Sequence, residues 1–288
     1  MRRVIFAALF ATTAFATAAF VWGQSLPSEP THVAGESVAA AFEGWFRDPD
    51  GTINLLFGYY NRNRNQDVDV PVGPNNRVEP GGPDRGQPTH FVSGRGWGIF
   101  AVKVPANFGD QKVTWTLTAN GKTTLVPGSL NVDYELSPLV EAAVGNSPPE
   151  MAFAEAGPWT QGPHGGLTGS ATAKVGTSNT ISVWVADDAK FTVGNGVRPT
   201  IMPPPVNVRW TKYRGPGEVK FATERMPANA VERKGSKAVF NGKADASVTF
   251  SEPGEYVLNV QANDYSGEGG AGFQCCWSNA QVKVNVTR

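Results

Sequence analysis

The last third of the chain alternates apolar and polar residues so strictly that few folds can accept it. Between Glu255 and Asn263, Tyr256, Leu258, Val260 and Ala262 share one side. Between Asn279 and Val286, Ala280, Val282, Val284 and Val286 do the same, with Gln281, Lys283 and Asn285 opposite. A period of two sends successive side chains to opposite faces of a strand, so each segment reads as a strand buried on one side. Pro253-Gly254 supplies the turn before them. Together they are expected to form the closing hairpin of a β-sandwich, with Tyr256 in the position of a tyrosine corner.

Similar short alternating runs, punctuated by Gly, Pro, Asn and Asp, fill the chain after its first residues, and helical periodicity is nearly absent. The 33 glycines and 22 prolines are dispersed through turns, as many strands require. The expected fold class is all-β: two antiparallel β-sandwich domains in series, the second immunoglobulin-like. The first spans residues 33–136, with strands expected at 37–46, 52–60, 97–104, 112–119 and 122–126. Asn120-Gly121 between the last two is a strong hairpin signal. A polar insertion, 61–87, separates the second and third strands, and loops of that length are usually functional or mobile. Residues 137–166, with five prolines at 138, 148, 149, 158 and 163, read as a semi-rigid linker. The second domain spans 167–288, with strands expected at 180–185, 206–213, 218–223, 246–250, 255–263 and 279–286; Val206, Val208 and Trp210 share a face there.

At the other end, Met1-Arg2-Arg3 precedes an apolar run from Val4 to Trp22. A basic head before an apolar stretch and small residues is the pattern of a secretory signal peptide, here residues 1–23. Cleavage after Gly23 competes with sites at Ala18 and Ala19. The run is also long enough for an uncleaved anchor, although its many Ala and Thr residues favour cleavage. No later segment is apolar for long enough to span a bilayer. Lys plus Arg equals Asp plus Glu at 25 each, so no global field favours nucleic acid or an anionic membrane.

Cys275 and Cys276 are the only cysteines, and they are adjacent. In an oxidising compartment they pair with each other or with another chain. Cα atoms across a trans peptide are about 3.8 Å apart, below the usual disulfide range of roughly 4.4–6.8 Å, so a vicinal bridge is expected to be strained. It would form a rigid knuckle beside Trp277, either as a recognition surface or as a simple loop staple. The three histidines, His32, His90 and His164, fall in no catalytic or zinc-binding motif, and no Gly-x-Ser-x-Gly elbow occurs. Asp48 and Asp50 place two carboxylates in one turn and are weak calcium candidates, with Asp187-Asp188 a second pair. The Pro-Asp-Gly turn chemistry is the plainer reading of the first pair. Tyr60, Arg62 and Trp97 are the ligand-binding candidates of the first domain, because sugars stack on aromatic faces and bond to Arg. Strand alternation requires that at least half of the neighbouring rings, Phe57 and Tyr59 included, be core.

Residues 208–213 (VRWTKY), 215–221 (GPGEVKF), 250–258 (FSEPGEYVL) and 262–264 (AND) resemble the polycystic-kidney-disease-like (PKD-like) repeats of bacterial surface proteins. The resemblance covers about residues 167–288 and implies an immunoglobulin-like sandwich used as a spacer, adhesive or recognition module. The first half resembles uncharacterised exported bacterial proteins and implies no mechanism. The chain departs from the repeat pattern in its Gly-rich loop, 267–272, which leads into Phe273-Gln274-Cys275-Cys276-Trp277. The expected function is a secreted or periplasmic non-enzymatic module for binding, adhesion or structure at a bacterial surface. Its expected partner is a protein or glycan there, with no cofactor, no nucleic acid and no membrane span after signal cleavage. The alternative is a carbohydrate-binding accessory protein acting through the first domain, and a hydrolase with an unrecognised site comes third.

Overall fold

Strands begin where the alternation begins. A computed structural model describes residues 32–142, 144–191, 200–267 and 275–288; the signal segment 1–23 and residues 268–274 of the Gly-rich loop lie outside them. In chain order the first strands are β1 (Val38–Arg47), β2 (Ile53–Asn61), β3 (Val68–Asp69), β4 (Asn76–Glu79), β5 (His90–Phe91), β6 (Gly94–Val104), β7 (Val113–Ala119) and β8 (Lys122–Gly128). They make two three-stranded sheets, β1-β2-β6 and β4-β7-β8, and the small ribbon β3-β5. The sheets share a core that includes Leu55, Phe57, Phe100, Val113, Trp115 and Leu117. Phe57 stacks on Phe100 at 5.3 Å, and Trp115 meets Phe100 edge-on at 5.0 Å. Asn120 and Gly121 turn β7 into β8, both at positive φ.

The remaining strands are β9 (Glu150–Ala152), β10 (Thr160–Gln161), β11 (Leu167–Lys174), β12 (Asn179–Asp187), β13 (Asn207–Arg214), β14 (Val219–Phe221), β15 (Arg225–Pro227), β16 (Asn229–Ala230), β17 (Phe240–Phe250), β18 (Gly254–Asn263) and β19 (Trp277–Thr287). One sheet runs β10-β9-β12-β17-β14, with β16 also on β17, and the facing sheet runs β11-β19-β18-β13-β15. Their core holds Val183, Val185, Val208, Trp210, Phe250, Tyr256, Leu258, Val260, Val282 and Val284. All pairings among these strands are antiparallel except β11 with β19, which is parallel. The fold is therefore all-β and built from sandwiches. The tyrosine corner is present: the Tyr256 hydroxyl donates to the Glu252 carbonyl at 2.9 Å and accepts from the Gly217 amide at 3.1 Å.

The Pro-rich stretch 137–166 differs from the expected linker. It carries β9 and β10, and β9 pairs with β12 through Met151 opposite Val185. Met151 is fully buried in the second core. The stretch folds into that sheet because it brings an apolar edge strand, and a free linker would leave Met151 and Ala152 in water. The arrangement in series is likewise closer than expected, since His32–Arg288 form one compact unit. Tyr213, from β13 of the second sandwich, packs into the first core. The described residues include no helix long and apolar enough to cross a membrane.

Candidate functional site

Two β-bulges decide what the first sandwich offers on its outer face. In β1 the register shifts between Phe42 and Gly44, so Glu43 is an extra residue; in β2–β6 it shifts between Phe57 and Tyr59, opposite the segment that contains Trp97 and Gly98. Bulges re-aim side chains, and here the Glu43 carboxylate lies over Gly58. A Cβ on Gly58 would stand 1.9 Å from Glu43 Oε1, which is why this strand position holds glycine. Arg95 Nη2 donates to Glu43 Oε1 at 2.7 Å, and the Arg95 guanidinium sits 4.3 Å over the Trp97 ring. Burial raises the Glu43 pKa, and Arg95 opposes that shift only in part.

Against this face stand Arg209, Thr211, Asn259 and Gln261 of β13 and β18; with Tyr59, Arg95 and Trp97 they enclose a cavity of about 20 Å³. That is room for one water. Tyr60 pairs with Arg95 across the ladder and is 38 % exposed. Arg62 is half-buried. Tyr60, Arg95 and Trp97 thus lie close together, yet one face of the Trp97 ring is covered by a guanidinium and the space beside it is water-sized. Trp277 is 1 % exposed. Its ring packs at Gly98, where an added Cβ would meet it at 2.9 Å. The expectation that Trp277 binds a ligand is corrected: the ring is a wedge between the sandwiches, with no face left for a partner. Asn279 fastens the same seam, donating to the carbonyls of Gly98 at 2.7 Å and Pro163 at 3.0 Å.

The polar insertion 61–87 is also structural in large part. Asn76 is fully buried; it donates to the carbonyls of Val70 and Pro88 and accepts from the Trp115 indole at 2.9 Å. Its end docks on β13: Arg214 makes a two-pronged ion pair with Asp84, each arm 2.8 Å, and donates to the Gln87 carbonyl, while the Tyr213 hydroxyl donates to the Gly86 carbonyl. Beside it, His90 bridges two carboxylates, with Nδ1 at 2.9 Å from Asp69 and Nε2 at 3.3 Å from Asp67; Lys212 Nζ reaches Asp69 at 3.4 Å. Burial pulls the His90 pKa down, but the two carboxylates outweigh it and leave the value above that of ordinary imidazole. A groove of about 580 Å³ opens there, bordered by Asp67, His90, Lys212, Glu218 and Glu252.

At one end of the second sandwich lies a cluster of buried polar groups. Cys275 and Cys276 are bridged to each other across a cis peptide and fully buried. The Cys276 Sγ lies 3.4 Å from the Asn146 carbonyl, and its amide donates to the Ser266 hydroxyl at 2.9 Å. Asn146 Nδ2 donates to Asp264 Oδ2 at 2.6 Å. Asp188 accepts from the amide and hydroxyl of Ser147. Asp187, the last residue of β12, accepts from the Ala189 amide at 2.7 Å. Burial, reinforced by the charges of Asp264 and Asp188, raises the Asp187 pKa to about 7. Burial also raises that of Asp264. The sequence singled out Asp187-Asp188, the cysteines and, within 262–264, Asp264; Asn146 carries no local motif and reaches the cluster only through the fold.

Asp48 and Asp50 serve their turn. The Asp48 carbonyl accepts the Gly51 amide at 2.9 Å, Asp48 Oδ2 accepts from Asn54 at 2.9 Å, and Asp50 Oδ1 accepts the Thr52 amide at 2.8 Å. His164 approaches Asp48 only to 4.0 Å, and burial holds its pKa below the ordinary value.

No protein-family model matches the chain, and no curated protein matches it. Among solved structures, it is similar to two domains of an S-layer protein, SbsC domains 4 and 5. The identity is 12 %, over 88 % of this chain and 98 % of that one, with a TM-score of 0.25. A titin fragment, A168169, is 12 % identical over 87 % of this chain and 100 % of its own, with a TM-score of 0.23. WR4, an MSP family member of C. elegans, is 11 % identical over 40 % of this chain and 92 % of its own, with a TM-score of 0.24. At these values the likenesses carry no argument about function, and the architecture rests on the strands and cores described above.

Proposed function

We propose that the chain is an exported, non-enzymatic module that binds or adheres at a bacterial cell surface, with a protein or a glycan as its partner. The observation that carries this reading is the buried Cys275–Cys276 bridge within an all-β body, because disulfides persist in oxidising compartments. The use of its reactive side chains supports it further. His90 is held by Asp67 and Asp69, Arg95 is tied to Glu43 and Trp97, and Trp277 is sealed in the seam. Such a body presents strand edges and loops to a partner.

The test is fractionation of producing cells, with thiol alkylation and intact mass on the recovered protein, followed by assays on ester, peptide and glycoside substrates. The reading expects an extracytoplasmic protein whose cysteines resist alkylation until reduced, and no turnover. A reduced cytosolic protein, or turnover that disappears in His90→Ala, would overturn it.

A further inference from the structure

A buried ammonium needs acceptors for its three donors, and Lys212 is short of them. Its side chain is 8 % exposed, yet among the described residues its Nζ has one partner, Asp69 Oδ1, at the long distance of 3.4 Å. That oxygen is already shared with His90 Nδ1 at 2.9 Å. The two oxygens of Asp67 are taken by His90 Nε2 and the Ser93 amide. Lys212 and His90, both mostly buried, form the floor of the groove of about 580 Å³ that opens between the β3-β5 ribbon and the second sandwich. The donors that Asp69 leaves unused border that space.

The rim has the opposite character. Glu218 is 77 % exposed, with the exposed Lys220 ammonium 3.8 Å away, and Glu252 is exposed as well. Ionised carboxylates only accept hydrogen bonds. Beside them the Ser251 hydroxyl accepts the Glu218 amide at 2.8 Å and keeps its own proton to give. A ligand seated here must therefore accept from the floor and donate to the rim.

We propose that this groove is a carbohydrate site that takes a neutral, hydroxyl-rich saccharide. The inference rests on the reading of the chain as a binding module and selects the glycan from its two partner classes. Every sugar hydroxyl both donates and accepts, so one ligand meets floor and rim together. An anion would satisfy Lys212 but face Asp67, Asp69, Glu218 and Glu252. A cation would satisfy the rim but leave the Lys212 donors unmet and add like charge beside them. The volume falls within the roughly 300–1,000 Å³ of small-ligand sites, and the junction of two domains is where such sites concentrate. No Phe, Tyr or Trp borders the groove, so hydrogen bonds rather than ring stacking carry the recognition. The sugar site thus moves away from Tyr60 and Trp97, where the enclosed space is water-sized.

The experiment titrates isotope-labelled protein with maltose, cellobiose and N,N′-diacetylchitobiose, and with tetralysine and citrate as charged probes, following amide chemical shifts. At least one disaccharide should give saturable shifts at Asp69, His90, Lys212, Lys220 and Glu252, and neither charged probe should. Lys212→Met keeps the buried stem without its donors and should abolish the effect, with the rest of its spectrum reporting that it folds. Glu252→Gln alters only an exposed side chain and should weaken binding about tenfold, the value of one hydrogen bond to a charged group. The proposal is overturned if no disaccharide gives saturable shifts in the groove, or if they gather at Tyr60 and Trp97 instead. It is equally overturned if a charged probe binds the groove more tightly, or if both variants bind as the parent does. Export and thiol state are read separately, so its failure is distinguishable from failure of the binding-module reading.

Discussion

The Tyr256 ring is tied down at its far end: its hydroxyl donates to Glu252 and accepts from Gly217, so one oxygen closes both the turn before β18 and the segment after β13. Tyr256→Phe keeps the ring and leaves the Gly217 amide without its acceptor, which should cost about 1–3 kcal/mol in urea unfolding. A loss under about 0.5 kcal/mol would mean that water replaces the hydroxyl. This residue was legible in the sequence because its neighbours in the chain define it, a Pro-Gly turn followed by alternation. Glu43 and Arg95 were not legible as a pair. They lie 52 residues apart, and only the two bulges bring them together over Gly58. The Glu43 side chain is 4 % exposed, so Arg95→Ala should cost about 3 kcal/mol by stranding a buried carboxylate. Adding Glu43→Gln to that variant should recover much of the loss, and failure to recover it would show that Arg95 acts by covering Trp97 instead.

Among the elements, most long strands declared themselves by period, though β11 and the first half of β17 did not, and of the short ones only β14 did. Alternation located β1, β2, β6, β7, β8, β12, β13, β18 and β19 to within a few residues. The two- and three-residue strands β3, β5, β9, β10 and β16 are too short to display a period, and they exist because a neighbour's edge accepts them. Met151 in β9 looked like one apolar residue among prolines until β12 stood beside it. The insertion 61–87 followed the same rule, since its anchor points are Asp84, Gly86 and Gln87 on β13. Close to that junction, the contact of His90 with Asp67, Asp69 and Lys212 gives the ribbon β3-β5 a pH dependence. The folded His90 pKa is raised above the unfolded value, so its contribution is fully present below about pH 6.5 and fades as pH rises through the folded value. Unfolding free energy of the parent should therefore fall more steeply than that of His90→Asn as pH rises from about 6.5 through the folded value. Parallel pH profiles would show that the bridge contributes nothing.

At the scale of the molecule, the important feature is the seam between the sandwiches, which no periodicity encodes. The outward positions of β18, Asn259, Gln261 and Asn263, have the polar character of a solvated strand face, yet they are 2 %, 7 % and 6 % exposed. The polar side of one sheet is covered by the other sandwich, and that is why Trp277 resembles an exposed binding aromatic in the sequence while serving as filler in the fold; Trp97 is half-buried under the Arg95 guanidinium. Tyr213 crosses into the first core, Arg214 clasps Asp84, and Asn279 holds Gly98. Separating the halves would therefore expose an indole, a phenol and a row of amides at once, with the Glu43–Arg95 pair opened to water. Coupling of that size predicts one cooperative transition in calorimetry, with calorimetric and van't Hoff enthalpies equal. Asn279→Ala should shift that transition without splitting it, because its carbonyl partners in both halves lose their donor together. Two resolved transitions in the parent would show instead that each sandwich keeps its own stability and that the seam is only a contact between finished domains.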